Sequence, residues 1–199
     1  HKPQDLRALM GISENLANLN FERFQVFDEE PMPAAGTPAA LTFAGDTYVG
    51  LDAPSMSDEE LAFAQKHIGI LSGLYGLLRP LDRIQPYRLE MGVKLETARG
   101  SNLYGFWGER LTHRVNEMTE GHGDRSLINL ASNEYFSSLK VAKLQGPVIT
   151  PVFKELRDGK AKVISFLAKK ARGAMARYIV QGRIDSPESL KAFNAGGYT

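Results

Sequence analysis

Lys169, Lys170, Arg172 and Arg177 stand within nine residues of one another, with no acidic residue between them. Cations at that density bind phosphate, pairing with its charge and releasing its counterions. The wider stretch from Lys154 to Arg183 carries nine basic and two acidic side chains, a local charge of +7 in a chain whose formal total is +1. A helix that merely faced solvent would gain from acidic partners three or four residues away, and the stretch around Lys169 has none. Residues 1–60 hold three basic and eleven acidic side chains, whereas residues 61–199 hold twenty-one and twelve. Such polarisation creates a field even at small net charge. A second set of residues has acid–base character. Glu90 lies two positions from Arg88, and Asn129, Ser132, Asn133 and Glu134 follow an apolar run. Placed beside Lys169, they are what an enzyme acting on a phosphorylated or nucleotide-like small molecule needs. Ser132 and Asn133 also have a plainer reading, as the cap of a helix through Glu134. Arg79 with Asp82 likewise reads as a structural ion pair.

Other chemistries are missing. The 199 residues include no Cys, which removes thiol catalysis and thiol redox sensing. His1, His67, His113 and His122 have no metal-ligand spacing, so neither a metal site nor a cofactor is expected. No apolar stretch approaches the roughly 18 uncharged residues of a membrane span. The opening His1-Lys2-Pro3-Gln4-Asp5 has no apolar leader, and a cytoplasmic location is expected.

The elements that must hold these groups follow from the pattern. With 43% hydrophobic residues, the chain builds one substantial core, read as a single domain over residues 1–199. The class is α/β, mixed α+β and without repeats. Helices are predicted over Pro3 to Leu19, Phe21 to Phe27, Leu103 to Met118, and from the Ser57-Asp58-Glu59-Glu60 capping box to about Ile68. Residues 29–40 form a Pro/Ala-rich loop. Ala40 to Phe43 and Ser126 to Ala131 read as strands. A β-hairpin is predicted near 148–167, from the runs Val148 to Phe153 and Val163 to Leu167 around Asp158-Gly159. It feeds a helix over Lys169 to Val180. At 100° per residue its cations share one arc with Gly173 and Ala176, small residues that let a phosphate backbone come close. Pro187 opens a last short helix. Between these, Ile70 to Gly92 is a constrained, partly buried loop, with Arg79, Asp82, Arg83, Arg88 and Glu90 on it.

The motifs in order resemble those of the YaaA family of bacterial peroxide-stress proteins. They are Phe43-Ala44-Gly45-Asp46-Thr47-Tyr48, Leu71 to Gly92, Leu103-Tyr104-Gly105-Phe106-Trp107-Gly108, Ile128-Asn129-Leu130-Ala131-Ser132-Asn133-Glu134-Tyr135-Phe136, Ala168-Lys169-Lys170-Ala171-Arg172-Gly173, and Phe193-Asn194 with Gly197-Tyr198. The resemblance implies an unusual α/β fold with a positively charged cleft and a helix–hairpin–helix element. It further implies DNA binding, protection of DNA during peroxide stress, and lower free intracellular iron. The family's N-terminal apolar strand and most of its C-terminal tail have no counterpart here. A cleft built partly from that strand is expected to be incomplete, and the chain is read as truncated at both ends. Ser72-Gly73-Leu74-Tyr75-Gly76 offers the glycines of a helix–hairpin–helix turn, but Pro80 leaves little room for its second helix. On this reading the partner is DNA, bound largely without regard to sequence. Lys169, Lys170, Arg172 and Arg177 contact phosphate, with Arg79, Arg88 and Lys154 at the edge, and Tyr75, Tyr87 or Tyr135 stacks on unpaired bases.

Overall fold

A computed structural model describes residues 2–28, 36–157 and 160–198. Nine α-helices and eight short strands are described, the strands in four two-stranded sheets. The expected α/β mixture is found, with helix dominant.

The chain opens with α1 (Pro3–Met10) and α2 (Glu14–Gln25). The sequence pattern reads Pro3 to Leu19 as one helix, but Gly11 breaks it. Gly11 sits at φ 63° and donates its N–H to Arg7 O at 2.9 Å. That left-handed position closes a helix at little cost only for glycine. Ser13 then caps α2 by accepting from Leu16 N. Leu6, Ile12 and Ala17 close the space between the two helices.

Strand β1 (Thr37–Pro38) pairs antiparallel with β4 (Arg83–Ile84). The expected strand at Ala40 to Phe43 is instead one helical turn, α3 (Ala39–Thr42). Ala39 and Ala40 are buried, and their N–H groups bond to Asp82 O and Pro80 O. Helix α4 (Asp46–Leu51) and helix α5 (Asp58–His67) follow. The capping box forms as expected: Glu60 N donates to Ser57 Oγ at 3.2 Å, and Ser57 N donates to Glu60 Oε2 at 2.7 Å.

Helix α5 leads into a β-hairpin, β2 (Ile70–Ser72) with β3 (Gly76–Leu78). The segment Ser72 to Gly76 is thus a strand turn, not the turn of a helix–hairpin–helix. Gly76 is at φ 81°, and the Trp107 ring fills the place of its absent Cβ. The stretch read as one helix from Leu103 to Met118 is two, α6 (Leu103–Trp107) and α7 (Arg110–Met118), divided at Gly108 with φ 55°. Strand β5 (Leu127–Ile128) pairs parallel with β6 (Val148–Ile149), and α8 (Asn133–Phe136) follows β5.

A hairpin does lie within residues 148–167, but its strands are β7 (Glu155–Arg157) and β8 (Lys160–Lys162). Val148 and Ile149 are taken by β5, and Ser165 to Leu167 already belong to α9 (Ser165–Gly182). The predicted Asp158-Gly159 turn lies outside the described residues, as do residues 29–35 of the Pro/Ala-rich loop. A 3-10 turn over Pro187–Ala192 begins at the expected proline.

Helix α9 organises the second half of the fold. One side packs Ala171 and Met175 against Phe153 and Phe193. Another crosses α4 at Gly173 and Gly50. A Cβ on either glycine would overlap the other helix's backbone, at Thr47 O and Lys170 O respectively. The two backbones therefore touch, and only glycine permits this.

Candidate nucleic-acid interface

The predicted cations separate into two groups. Arg177 is structural. Its Nη1 donates to Asp52 O at 2.9 Å and Leu51 O at 3.2 Å, and lies 3.4 Å from Asp52 Oδ2. It satisfies the carbonyls that end α4. Arg79 is bound to Asp82 at 3.2 Å, and Asp82 Oδ2 also accepts from Arg79 N at 2.8 Å. Arg88 pairs with Glu90 at 2.6 Å. The fold thus gives each of these three a partner, and for Arg79 it is the Asp82 that the sequence pattern also offered.

Lys154, Lys160, Lys162, Lys169 and Lys170 are exposed, and Arg172 is half-buried. Among the described residues none of the six has an ion pair or a side-chain hydrogen bond. Glu155, the acid on β7, is engaged elsewhere, accepting from Tyr198 Oη at 2.5 Å. Among the described residues, these cations of the hairpin and the first turns of α9 thus have no ion-pair partner. Lys160 and Lys162 belong to the set as much as Lys154 does. The Asp-Gly turn signal places them on a hairpin strand, and their alternation across Ala161 was the signal that could have included them.

The arc on α9 is real but only half open. Phe166, Lys169, Lys170, Gly173 and Arg177 share one face by helical spacing. Helix α4 covers that face from the Lys170 backbone through Gly173 to Arg177, leaving the Phe166, Lys169 and Lys170 side chains exposed. Gly173 therefore makes room for a helix, not for a phosphate backbone.

A groove of about 1310 Å³ runs along the flank of α9. It brings together Lys169, Arg172, Tyr48, Glu90, Asn129, Ser132, Glu134 and Tyr135. Its lining is of mixed charge: Asp46, Glu90, Asp124, Glu134 and Asp185 face Lys66, Lys169 and Arg172 across it. Lys154, Lys170, Arg79, Arg88 and Arg177 lie outside this lining.

Most of the proposed acid–base residues already have structural work. Ser132 Oγ caps α8, accepting from Tyr135 N at 3.5 Å. Asn129 accepts from Ala131 N at 3.1 Å and donates to Thr150 Oγ1 at 3.3 Å. Glu134 accepts from Gly92 N at 2.8 Å. The phenols are more unusual. Burial raises Tyr48, with Tyr87 and Tyr135 adding to the rise. Burial pushes Tyr135 up to about 12, with Glu134 and Glu90 adding to it. Both are neutral hydrogen-bond donors at any physiological pH.

Two of the three predicted stacking residues are packed inside. Tyr87 meets Ser72 Oγ at 2.5 Å and lies edge-on to Phe43 and Tyr75. Tyr75 Oη accepts from Gln85 N at 3.0 Å. Tyr135 alone of the three reaches the groove.

This architecture defines an α/β protein whose exposed cationic hairpin and helix end lie beside a long, mixed-charge groove. A family model described as peroxide stress protein YaaA matches residues 1–199, and the chain belongs to that family. It is 58% identical over 193 residues to a UPF0246 protein of Magnetococcus marinus, covering 97% of this chain and 75% of the relative. A UPF0246 protein of Dinoroseobacter shibae is 56% identical over 194 residues, covering 98% and 73%. One of Saccharophagus degradans is 54% identical over 197 residues, covering 99% and 77%.

Proposed function

We propose that this chain is a DNA-binding protein of the peroxide-stress response, holding phosphate through Lys154, Lys160, Lys162, Lys169, Lys170 and Arg172. The observation that carries this reading is the contrast in partners. Arg79, Arg88 and Arg177 are pinned by acids or carbonyls, whereas these six have no such partner among the described residues. Unpaired surface cations are available for counterion release, and the resulting affinity is nearly blind to sequence. Family membership supports the stress context. The pair α1–α2, joined at Gly11-Ile12-Ser13, is the element best suited to be the expected helix–hairpin–helix. DNA protection under peroxide stress would follow from such binding.

The test compares two triple variants for duplex affinity by fluorescence anisotropy. Replacing Lys160, Lys162 and Lys170 with Ala is expected to weaken binding to unrelated duplexes alike, by about tenfold or more near physiological salt. Replacing Arg79, Arg114 (2.9 Å from Glu117) and Arg183 (2.7 Å from Glu59) with Ala is expected to change affinity little. Equal effects from the two sets would contradict the assignment.

A second reading, an enzyme for a phosphorylated or nucleotide-like small molecule, has one observation in its favour. Arg88 Nε is buried without a partner among the described residues, beside Glu90 at the groove. Arg88 holds the Glu90 carboxylate, which lines the groove and is there available as an acid or base. On this reading Glu90→Gln keeps the melting temperature and duplex affinity and slows turnover of a nucleotide panel by about 10²- to 10⁴-fold. A Glu90→Gln protein that is destabilised and otherwise unaltered leaves Glu90 with structural work only.

A further inference from the structure

Phe166 is 58% exposed, in the first turn of α9. Among the described residues no other Phe, Tyr or Trp is exposed to this degree. Its surroundings are unusual too. Val163 and Val152 are exposed at 59% and 65%. Lys169 and Lys170 follow Phe166 at three and four positions, on the same face of the helix. Lys162 ends the adjoining strand. An isolated exposed apolar residue needs no explanation, but an aromatic ring inside a cluster of unpaired cations does.

We propose that Phe166 is a stacking platform for an unpaired base, so that this face prefers single-stranded or locally opened nucleic acid to intact duplex. The inference rests on the nucleic-acid reading above and adds to it a substrate class and a residue. In duplex DNA the base faces are covered by their neighbours, and an exposed ring has nothing flat to meet. In a single strand every base offers a π-face, and cations alongside hold the backbone that carries it. Tyr75 and Tyr87 cannot serve, since their rings are packed and their hydroxyls engaged. The α4 contacts on α9 reach as far as the Lys170 backbone, one turn short of Phe166, whose ring is exposed and free to meet a base. An anionic lipid surface would also attract basic and apolar groups. One ring and two valines bury little area there, however, so charge complementarity favours the polyanion that also offers flat faces.

The experiment measures anisotropy of a labelled single-stranded oligonucleotide and of the same sequence as duplex, for wild type, Phe166→Ala and Phe166→Trp. The wild type is expected to bind the single strand more tightly. Phe166→Ala is expected to lose about five- to one-hundred-fold of single-strand affinity. Duplex affinity should stay within about twofold, and the salt slope unchanged, because stacking releases no counterions. Phe166→Trp retains or improves single-strand binding, and its folded melting transition excludes a structural explanation. An equal loss on both substrates, or no loss on either, overturns the stacking role while leaving nucleic-acid binding standing. Binding by the wild type to neither oligonucleotide defeats both readings. Phe166-dependent binding to phosphatidylserine vesicles in that case assigns the face to a lipid surface.

Discussion

Arg177 shows how much a single partner changes the meaning of a charge. By spacing it belongs with Lys169 and Lys170, yet its guanidinium is spent on the carbonyls of Leu51 and Asp52. Nothing in the local sequence marks this, because the acceptors are about 125 residues away. The opposite holds for Ser132, whose cap on Tyr135 was legible three residues ahead. His122 offers a prediction at the same scale. It is stacked on His67, with ring centroids 4.9 Å apart, and His67 lies on Phe63 at 3.8 Å. Burial lowers its pKa, with His67 and Arg125 adding to the fall. The folded state therefore binds this proton less readily than the unfolded chain does. Its contribution to stability is full above the ordinary histidine pKa of about 6.5 and is lost as pH falls below it. The melting temperature of the wild type should drop more than that of His122→Gln between about pH 7.5 and pH 5.5. Parallel pH profiles for the two proteins would show that the stacked pair has no such role.

Between elements, the decisive contact is α4 on α9. Gly50 and Gly173 let the two backbones meet, and Arg177 closes the end of α4 from the far side. Gly173→Ala should destabilise the protein by about 3 kcal/mol, since the methyl group has backbone against it and no side chain that can move aside. Denaturant unfolding measures this. If Gly173 instead made room for phosphate, the variant would keep its stability and lose duplex affinity. The elements differ in how much of them the sequence disclosed. Capping at Ser57 and Glu60, Pro187 opening the last turn, and the apolar runs of β5 are local signals and were readable. The breaks at Gly11 and Gly108 were readable in kind, as glycines within helical patterns, but their positive φ values depend on what packs next to them. The partners of β6 were not readable. Val148 and Ile149 suit either a hairpin or a parallel pair, and the choice of Leu127 and Ile128 is made by tertiary packing.

At the scale of the whole molecule, charge is sorted by position. The groove mixes carboxylates with cations, while Lys154, Lys160, Lys162, Lys169 and Lys170 of the hairpin and the open turns of α9 are exposed and, among the described residues, without an ion pair. The acidic excess lies in the first sixty residues. The sequence pattern assigned Arg79, Arg88 and Arg177 to the positive region, but the fold gives each of them a partner, because pairing is a property of the folded surface. Salt dependence counts phosphate contacts without assuming which residues make them. The most direct measurement is therefore the slope of log affinity for a duplex against log salt concentration. It is taken for the wild type and for a variant with Lys160, Lys162, Lys169 and Lys170 replaced by Ala. Six such cations predict a wild-type slope of roughly −5, and loss of four should make it shallower by about 3.5. A wild-type slope near zero, or one that the four substitutions leave unchanged in a folded protein, would contradict the assignment of this surface to nucleic acid.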